Sequence, residues 1–197
     1  MYAQPIRQLI QALKRLPGVG PRTAERFVFS LLHRGKKDVG ELLVALKQVM
    51  DTIKSCERCY TFSDSSPCEV CRDQTRGQDI LCVVATPQDR EAIEKTKAYR
   101  GLYHILRGTI DTTDEQQQAQ LKLPELFDRL QKETIREVIL ALNPDMQGES
   151  TMIYISGKIK QVSPQIKVTR LARGLPMGSD VQYADDITLQ SAFENRR

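Results

Sequence analysis

The chain has 197 residues, of which 40% are hydrophobic, enough for one sizeable domain or two small ones. It contains no run of about 18 apolar residues and no secretion signal at its N-terminus, so we expect a cytoplasmic protein without a membrane segment. The net charge of +4 is uninformative, but residues 1–37 carry eight basic residues against one acidic residue, a net charge of +7. This asymmetry predicts an N-terminal surface for a polyanion, with solvated helix faces as the alternative.

The first 53 residues predict a small all-helical unit. Apolar residues recur every three or four positions from Pro5 to Leu16, which is typical of one amphipathic helix. A second helix is expected to begin near Pro21 and to bury an apolar face, and a third follows in "DVGELLVALKQVMDTIK". The apolar residues expected on the buried face of the second helix are Ala24, Phe27, Val28, Leu31 and Leu32.

The turn "PGVG" between the first two helices predicts a phosphate site. Gly18 and Gly20 can adopt positive φ and leave backbone N–H groups uncovered at the start of a helix. Arg22 and Arg26 lie four residues apart, so they share one face of that helix beside the same phosphates. A dinucleotide-binding loop is excluded, because Thr23 replaces its third glycine and no strand precedes it. A helix–helix turn without a ligand is the remaining alternative.

Residues 54–76 predict a metal site. Cys56 and Cys59 form one Cys-x2-Cys pair and Cys68 and Cys71 form a second, the spacing of a structural four-cysteine zinc site. Two disulfides or a redox pair are alternatives, disfavoured by a reducing cytoplasm and by the lack of a supporting fold pattern. With all four ligands from protein, the zinc would be structural, one ion per chain.

From residue 79 onward, short apolar runs alternate with amphipathic stretches, which predicts an α/β domain with a parallel sheet. The polar segment 111–120 is interpreted as an exposed flexible loop. Strands are predicted at 80–85, 101–106, 137–142 and within "QIKVTRLA", and helices at 87–97, at 124–133 and around Met152, Ile155, Ile159 and Val162.

Other reactive residues are interpreted as structural. Cys82 lies in an apolar strand and is expected to pack as a small hydrophobe. His33 and His104 lie in apolar contexts and are expected to be packed side chains rather than catalytic bases. The dipeptide Gly157-Lys158 lies in a helix pattern without the rest of a P-loop, so nucleotide hydrolysis through that motif is excluded.

The order of these parts resembles the RecR family of bacterial recombination mediators. The resemblance rests on "LPGVGPRTAERF", "CERC…CEVC", "LCVVATPQDREAIE", "YRGLYHILRG", "EVILALNPDMQGES" and "TRLARGLPMG". It implies an α+β multidomain chain with a helix-hairpin-helix unit at 1–53, a four-cysteine zinc finger at 54–76, a Toprim domain at 77–172 and a C-terminal segment used in assembly at 173–197.

The resemblance also implies a function. A non-enzymatic, clamp-like homodimer or homotetramer would bind DNA through the hairpin unit and RecO through the Toprim region, with RecF as a further partner. It would help load recombinase on gapped or single-stranded DNA in recombinational repair, in the bacterial cytoplasm at the nucleoid. Carried over by position, the DNA-facing basic residues are Arg22 and Arg26.

The chain departs from the family where Toprim enzymes carry carboxylates. Ala85 occupies the position of the first glutamate and Gln147 that of a later acid, so only Glu149 matches. A divalent cation would therefore lack oxygen ligands. Gln147 and Glu149 are the positions predicted for partner binding, and segment 111–120 replaces a glycine-rich loop of the family. A Mg²⁺-dependent Toprim enzyme, or an RNA-binding or structural zinc adaptor, is the alternative function.

Overall fold

The structure, a computed structural model, describes residues 2–111 and 119–196. The chain divides into two compact units between Ile53 and Lys54. Residues 112–118, most of the predicted loop 111–120, lie outside the described residues, and the prediction for that loop stays a prediction.

The first unit consists of helix α1 (Gln4–Leu13) and the long helix α2 (Pro21–Thr52). Each helix has proline in its first turn, where the missing N–H costs no helical hydrogen bond. Gly35 interrupts α2 with φ 83° and ψ 176°, so the helix comprises two segments, in agreement with the predicted second and third helices. Ala24 and Val28, one turn apart, are the residues of α2 that are buried.

Much of the apolar surface of the first unit is exposed. The prediction that Phe27 and Leu32 are buried is wrong, because their exposed fractions are 40% and 58%. Beyond Gly35, apolar residues of α2 are also exposed, with 56% exposure at both Leu46 and Val49. His33 is exposed as well, which corrects the expectation of a packed side chain. Two helices alone supply too little facing surface to cover these residues.

The second unit is built on a four-stranded parallel sheet with the strand order β4-β3-β5-β6. The crossover connections contain helices, as the alternating sequence pattern predicts. The strands are β3 (Ile80–Val84), β4 (Leu102–Ile105), β5 (Glu137–Ala141) and β6 (Lys167–Arg170), and the helices are α4 (Pro87–Thr96), α5 (Leu123–Lys132) and α6 (Met146–Val162).

The two faces of the sheet carry different layers. One face packs against α5 and α6 through residues such as Leu126 and Ile155. The other packs against α4 and against the cysteine segment, since all four cysteines share one buried cluster with Cys82, Val84, Tyr103 and Ile105. Successive strand residues point to opposite faces, so β3 contributes to both cores. The cysteine segment is therefore one layer of the α/β unit.

Short elements complete the second unit. Strands β1 (Lys54–Ser55) and β2 (Phe62–Ser63) form an antiparallel pair, and helix α3 (Glu69–Arg72) follows Cys68. The tail contains one 3-10 turn (Val181–Tyr183) and helix α7 (Asp186–Glu194). Among the helices in the described part of the chain, none combines the length and apolar character needed to cross a membrane.

Candidate nucleic-acid interface and metal centre

The hairpin turn uses its two glycines differently. Gly18 adopts a φ of 75°, the positive value that glycine allows and that disfavours any side chain. Gly20 adopts φ −78° and ψ 172°, so it does not use the positive φ that glycine allows. Gly20 is the N-cap of α2, and an N-cap residue has an extended backbone.

The N-terminus of α2 presents uncovered backbone N–H groups. Gly20 provides no side-chain cap, and the space where its Cβ would lie is open. Val19 N donates to Leu16 O at 3.1 Å and Ala24 N donates to Gly20 O at 2.9 Å. Within the described residues no protein acceptor pairs with the N–H of Arg22 or Thr23, the second and third residues of the helix. Such groups bind anions, and the helix dipole favours negative charge at the same place.

Two arginines extend this site along α2. Arg22 and Arg26 are both exposed and lie one helical turn apart. The guanidinium of Arg26 lies 6.0 Å from the ring centroid of Phe27. Glu25, the one acidic residue of positions 1–37, accepts a hydrogen bond from the Tyr2 hydroxyl. The arrangement combines helix N–H groups with two cations, which suits a row of phosphates.

The four cysteines of the two pairs come together. Their sulfur atoms all lie within 4.8 Å of one another, all four residues are buried, and the Sγ atoms of Cys59 and Cys68 are 3.6 Å apart. Zn–S bonds of about 2.3 Å in a tetrahedron require sulfur atoms roughly 3.8 Å apart. Because the sulfurs are already near that spacing, the cluster fits a zinc ion.

Hydrogen bonding within the cluster shifts the pKa values of its thiols in different directions. The contact with Cys68 raises the pKa of the Cys59 thiol to about 12, and the same contact lowers the pKa of the Cys68 thiol. Hydrogen bonding to Cys59 also raises the pKa of the Cys71 thiol. Four thiols at this spacing do not ionise together without a cation, and a bound zinc ion supplies the charge that lets them do so.

The cysteine segment is tied to the sheet by hydrogen bonds to backbone carbonyls. Ile105 N donates to Cys59 O at 2.9 Å. The buried side chain of Arg129 donates from Nη1 to Arg58 O at 3.1 Å and to Tyr103 O at 2.8 Å. The first contact joins the first cysteine pair directly to β4, and Arg129 of α5 joins the segment between Cys56 and Cys59 to the same strand. The metal centre is therefore held by the α/β unit.

The carboxyl ends of the strands form a second candidate site, where the sequence departs from Toprim enzymes. Ala85 follows β3 and is buried. Gln147, in the first turn of α6, donates to Asp111 Oδ2 at 2.9 Å and accepts from Thr109 Oγ1 at 3.2 Å. Asp89 accepts hydrogen bonds from both the backbone N–H and the hydroxyl of Thr86, at 2.8 Å each, in the capping box of α4.

Glu149 is paired with two arginines. Its carboxylate contacts the guanidinium of Arg173 and lies 3.7 Å from that of Arg170. Gln147 and Glu149 therefore engage different neighbours, the segment after β4 for Gln147 and the end of β6 for Glu149. Gly148 between them fits only without a side chain, because a Cβ would clash with the carbonyl oxygen of Asn143.

Comparison with known protein families accounts for nearly the whole chain. Residues 6–50 match the RecR helix-hairpin-helix, 53–73 match the four-cysteine zinc finger domain of RecR, 79–172 match the Toprim domain, and 174–197 match the RecR C-terminal region. The chain is 44% identical over 197 residues to "Recombination protein RecR" of Gloeobacter violaceus, which covers 100% of this chain and 99% of the relative. The chain belongs to the RecR family.

Two further RecR proteins show the same full-length similarity. That of Pelotomaculum thermopropionicum is 43% identical over 100% of this chain and 97% of its own length. That of Cutibacterium acnes is 44% identical over 100% of this chain and 96% of its own length. The chain is thus a RecR-family recombination protein with a DNA-binding hairpin unit, and its matched zinc finger and clustered cysteines indicate one structural zinc ion.

Sequence reasoning missed several residues at these sites. It identified Glu149 but not its partners, because Arg170 and Arg173 lie over 20 residues away and no local pattern pairs them. It missed Arg129, whose position in an amphipathic helix is typical of an exposed arginine, although the residue is buried. The four cysteines were found because their spacing alone carries the signal.

Proposed function

We propose that this RecR-family protein is a non-enzymatic recombination mediator that binds gapped or single-stranded DNA as a clamp-like oligomer and works with RecO and RecF to load recombinase. The proposal rests on one observation above others, the start of α2. There, backbone N–H groups without an acceptor in the described part of the chain lie on the same helix as two exposed arginines. We assign Gly18, Gly20, Arg22 and Arg26 to the DNA contact.

The contact would position the protein on DNA without reading sequence. Backbone N–H groups and guanidinium groups bind phosphate oxygens, which carry no base information. A single hairpin grips only a few phosphates, so each chain binds weakly. Several hairpins in one closed assembly act together through their effective concentration.

The test is the salt dependence of DNA binding. Arg22→Ala with Arg26→Ala removes about two phosphate contacts and is expected to reduce the slope of log K against log salt by about two units. The affinity of this variant for DNA is expected to fall to a similar degree for all DNA sequences. Lys132→Ala with Arg136→Ala serves as the matched control, because both side chains are exposed, 71% and 81%, and lie in the second unit. An unchanged slope in the Arg22 and Arg26 variant excludes this surface.

The absence of catalysis is part of the proposal. Ala85 offers no metal ligand, Asp89 is hydrogen-bonded to Thr86 in the capping box of α4 and Glu149 is paired with guanidinium groups, so among the described residues the strand ends supply few free carboxylates for Mg²⁺. The fold alone does not imply activity. A plasmid nicking assay with Mg²⁺ is expected to show no turnover. Turnover that Glu149→Ala abolishes would instead establish a Toprim enzyme.

We assign the RecO contact to the strand-end region that includes Gln147 and Glu149. Glu149→Ala and Arg173→Ala break the same ion pair, but only the first removes the carboxylate. RecO binding by titration calorimetry is expected to weaken for Glu149→Ala and Gln147→Ala and to persist for Arg173→Ala. Equal losses in the Glu149 and Arg173 variants would mean that the ion pair, rather than the acid, matters.

The assembly is assigned to the C-terminal segment, 173–197. Its apolar side chains are exposed in the single chain, with Tyr183 at 81%, Ile187 at 80% and Phe193 at 68%. Their coverage in a dimer or tetramer would remove apolar surface from water. Light scattering is expected to give the mass of an oligomer for the full chain and a smaller mass for Ile187→Asp.

We also propose 1–53, 54–76, 77–172 and 173–197 as the functional domains.

A further inference from the structure

The zinc centre has an unassigned neighbour on the α/β domain. Arg90, on helix α4, directs Nη1 toward the sulfur of Cys68 at 4.0 Å. Its side chain is only 13% exposed, and its other terminal nitrogen contacts the carboxylate of Glu91. Its Nε is buried and has no hydrogen-bond partner among the described residues.

The charge of the metal centre explains why a cation lies there. A Zn²⁺ ion with four thiolates carries roughly two net negative charges. The sulfurs are buried against the sheet, so water screens that charge poorly. Burying a guanidinium is also unfavourable unless it finds a negative partner, and Glu91 is itself 53% exposed. The buried guanidinium and the negative charge of the zinc centre therefore stabilise each other.

We propose that Arg90 is a positioning residue of the zinc centre, whose guanidinium offsets the thiolate charge at Cys68 and slows release of the metal. The residue acts through the ligand sulfur and does not itself bind zinc. The capping box of Thr86 and Asp89, directly before Arg90 in the chain, fixes the start of its helix. The Toprim domain would thus contribute one charge to the zinc finger.

The experiment measures zinc release from the purified zinc-loaded full chain into excess chelator, followed with a metallochromic dye. Loss of an outer partner of a metal ligand typically weakens binding 10- to 100-fold. We expect release about 10-fold faster for Arg90→Gln and Arg90→Met than for the unmodified chain. Arg90→Lys, which keeps the charge, is expected to lie between the unmodified chain and Arg90→Gln.

The control is an arginine of the zinc finger that contacts no thiolate. Arg72 donates to Ser65 Oγ at 3.0 Å and is exposed, so Arg72→Gln removes the same charge and should leave release unchanged. Circular dichroism of each zinc-loaded variant shows whether it is folded. Release at the unmodified rate from folded Arg90→Gln overturns the proposal. Equal rates for Arg90→Lys and Arg90→Gln also overturn it, because charge would then not matter.

Discussion

The two units of this chain differ in where their apolar residues lie. In the second unit the sheet is covered on both faces and side chains such as Leu81, Tyr103 and Ile155 are fully buried. In the first unit Ala24 and Val28 are buried, while Leu46 and Val49 remain more than half exposed. The sheet of the second unit is covered by its own helices and cysteine segment, whereas the first unit, like the C-terminal segment, leaves apolar side chains at the surface. An assembly contact would remove such apolar surface from water.

Loss of the metal is expected to give the largest difference in stability between the two units. Cys71→Ser removes a zinc ligand from the core of the second unit and should lower its free energy of unfolding by several kcal/mol, ~3 or more. The helices of the first unit should persist. Circular dichroism with zinc analysis checks this, and Cys82→Ala is the control, since Cys82 is buried in the same cluster but is no ligand. Equal losses in both variants would contradict a structural role of zinc.

Truncation of one apolar side chain in each unit tests the contrast directly. Ile155→Ala leaves a cavity in a packed core and should cost about 2–5 kcal/mol in chemical denaturation. Leu46→Ala, at 56% exposure, should change the stability of the isolated chain by less than about 0.5 kcal/mol. A large loss at Leu46 that depends on protein concentration would show that assembly covers this face.

The buried histidine of the second unit should make its stability depend on pH. Burial lowers the pKa of His104 to about 4 from 6.5, so between these values the unfolded chain binds a proton that the native chain does not. The free energy of unfolding should therefore fall as the pH drops through this window, by at most about 3 kcal/mol. Urea unfolding at several pH values is the measurement.

The matched variants are His104→Gln and His33→Gln. His104 Nε2 donates to Lys122 O at 2.7 Å, and a glutamine amide also offers a donor. The pH dependence should shrink in His104→Gln and persist in His33→Gln, whose site is exposed. An unchanged profile in His104→Gln would assign the acid sensitivity to other groups, such as the zinc thiols.

The smallest expected effects lie at the hairpin glycines. Gly18→Ala forces a side chain into φ 75° and should destabilise the first unit by about 1 kcal/mol. Gly20→Ser fits the extended N-cap backbone and should stabilise α2 by a few tenths, roughly 0.3 kcal/mol.

The two glycine variants should also separate stability from DNA binding. The new serine hydroxyl of Gly20→Ser would accept from the N–H of Arg22 or Thr23 and compete with phosphate. DNA affinity should therefore fall although the protein is more stable. Anisotropy titration and thermal unfolding together check this, and unchanged affinity would remove the helix N-terminus from the interface.

The parts predictable from sequence were those with a local signal. Apolar periodicity located the helices and strands, and cysteine spacing located the metal ligands. The packing of the cysteine segment on the sheet was not predictable, because the contact between Cys59 and Ile105 joins residues that are far apart in the sequence and leaves no local pattern. The conformation of Gly20 was not predictable because glycine permits both signs of φ, and only its role as a helix N-cap decides between them.

The layer formed by the cysteine segment has a consequence for the order of events during protein synthesis. The cysteines leave the ribosome before the strands that bury them, since Tyr103 and Ile105 come later in the chain. Domains fold as their residues become available. The metal centre consequently acquires its buried surroundings only after β4 has emerged, and until then its thiols are open to solvent, chelators and oxidants.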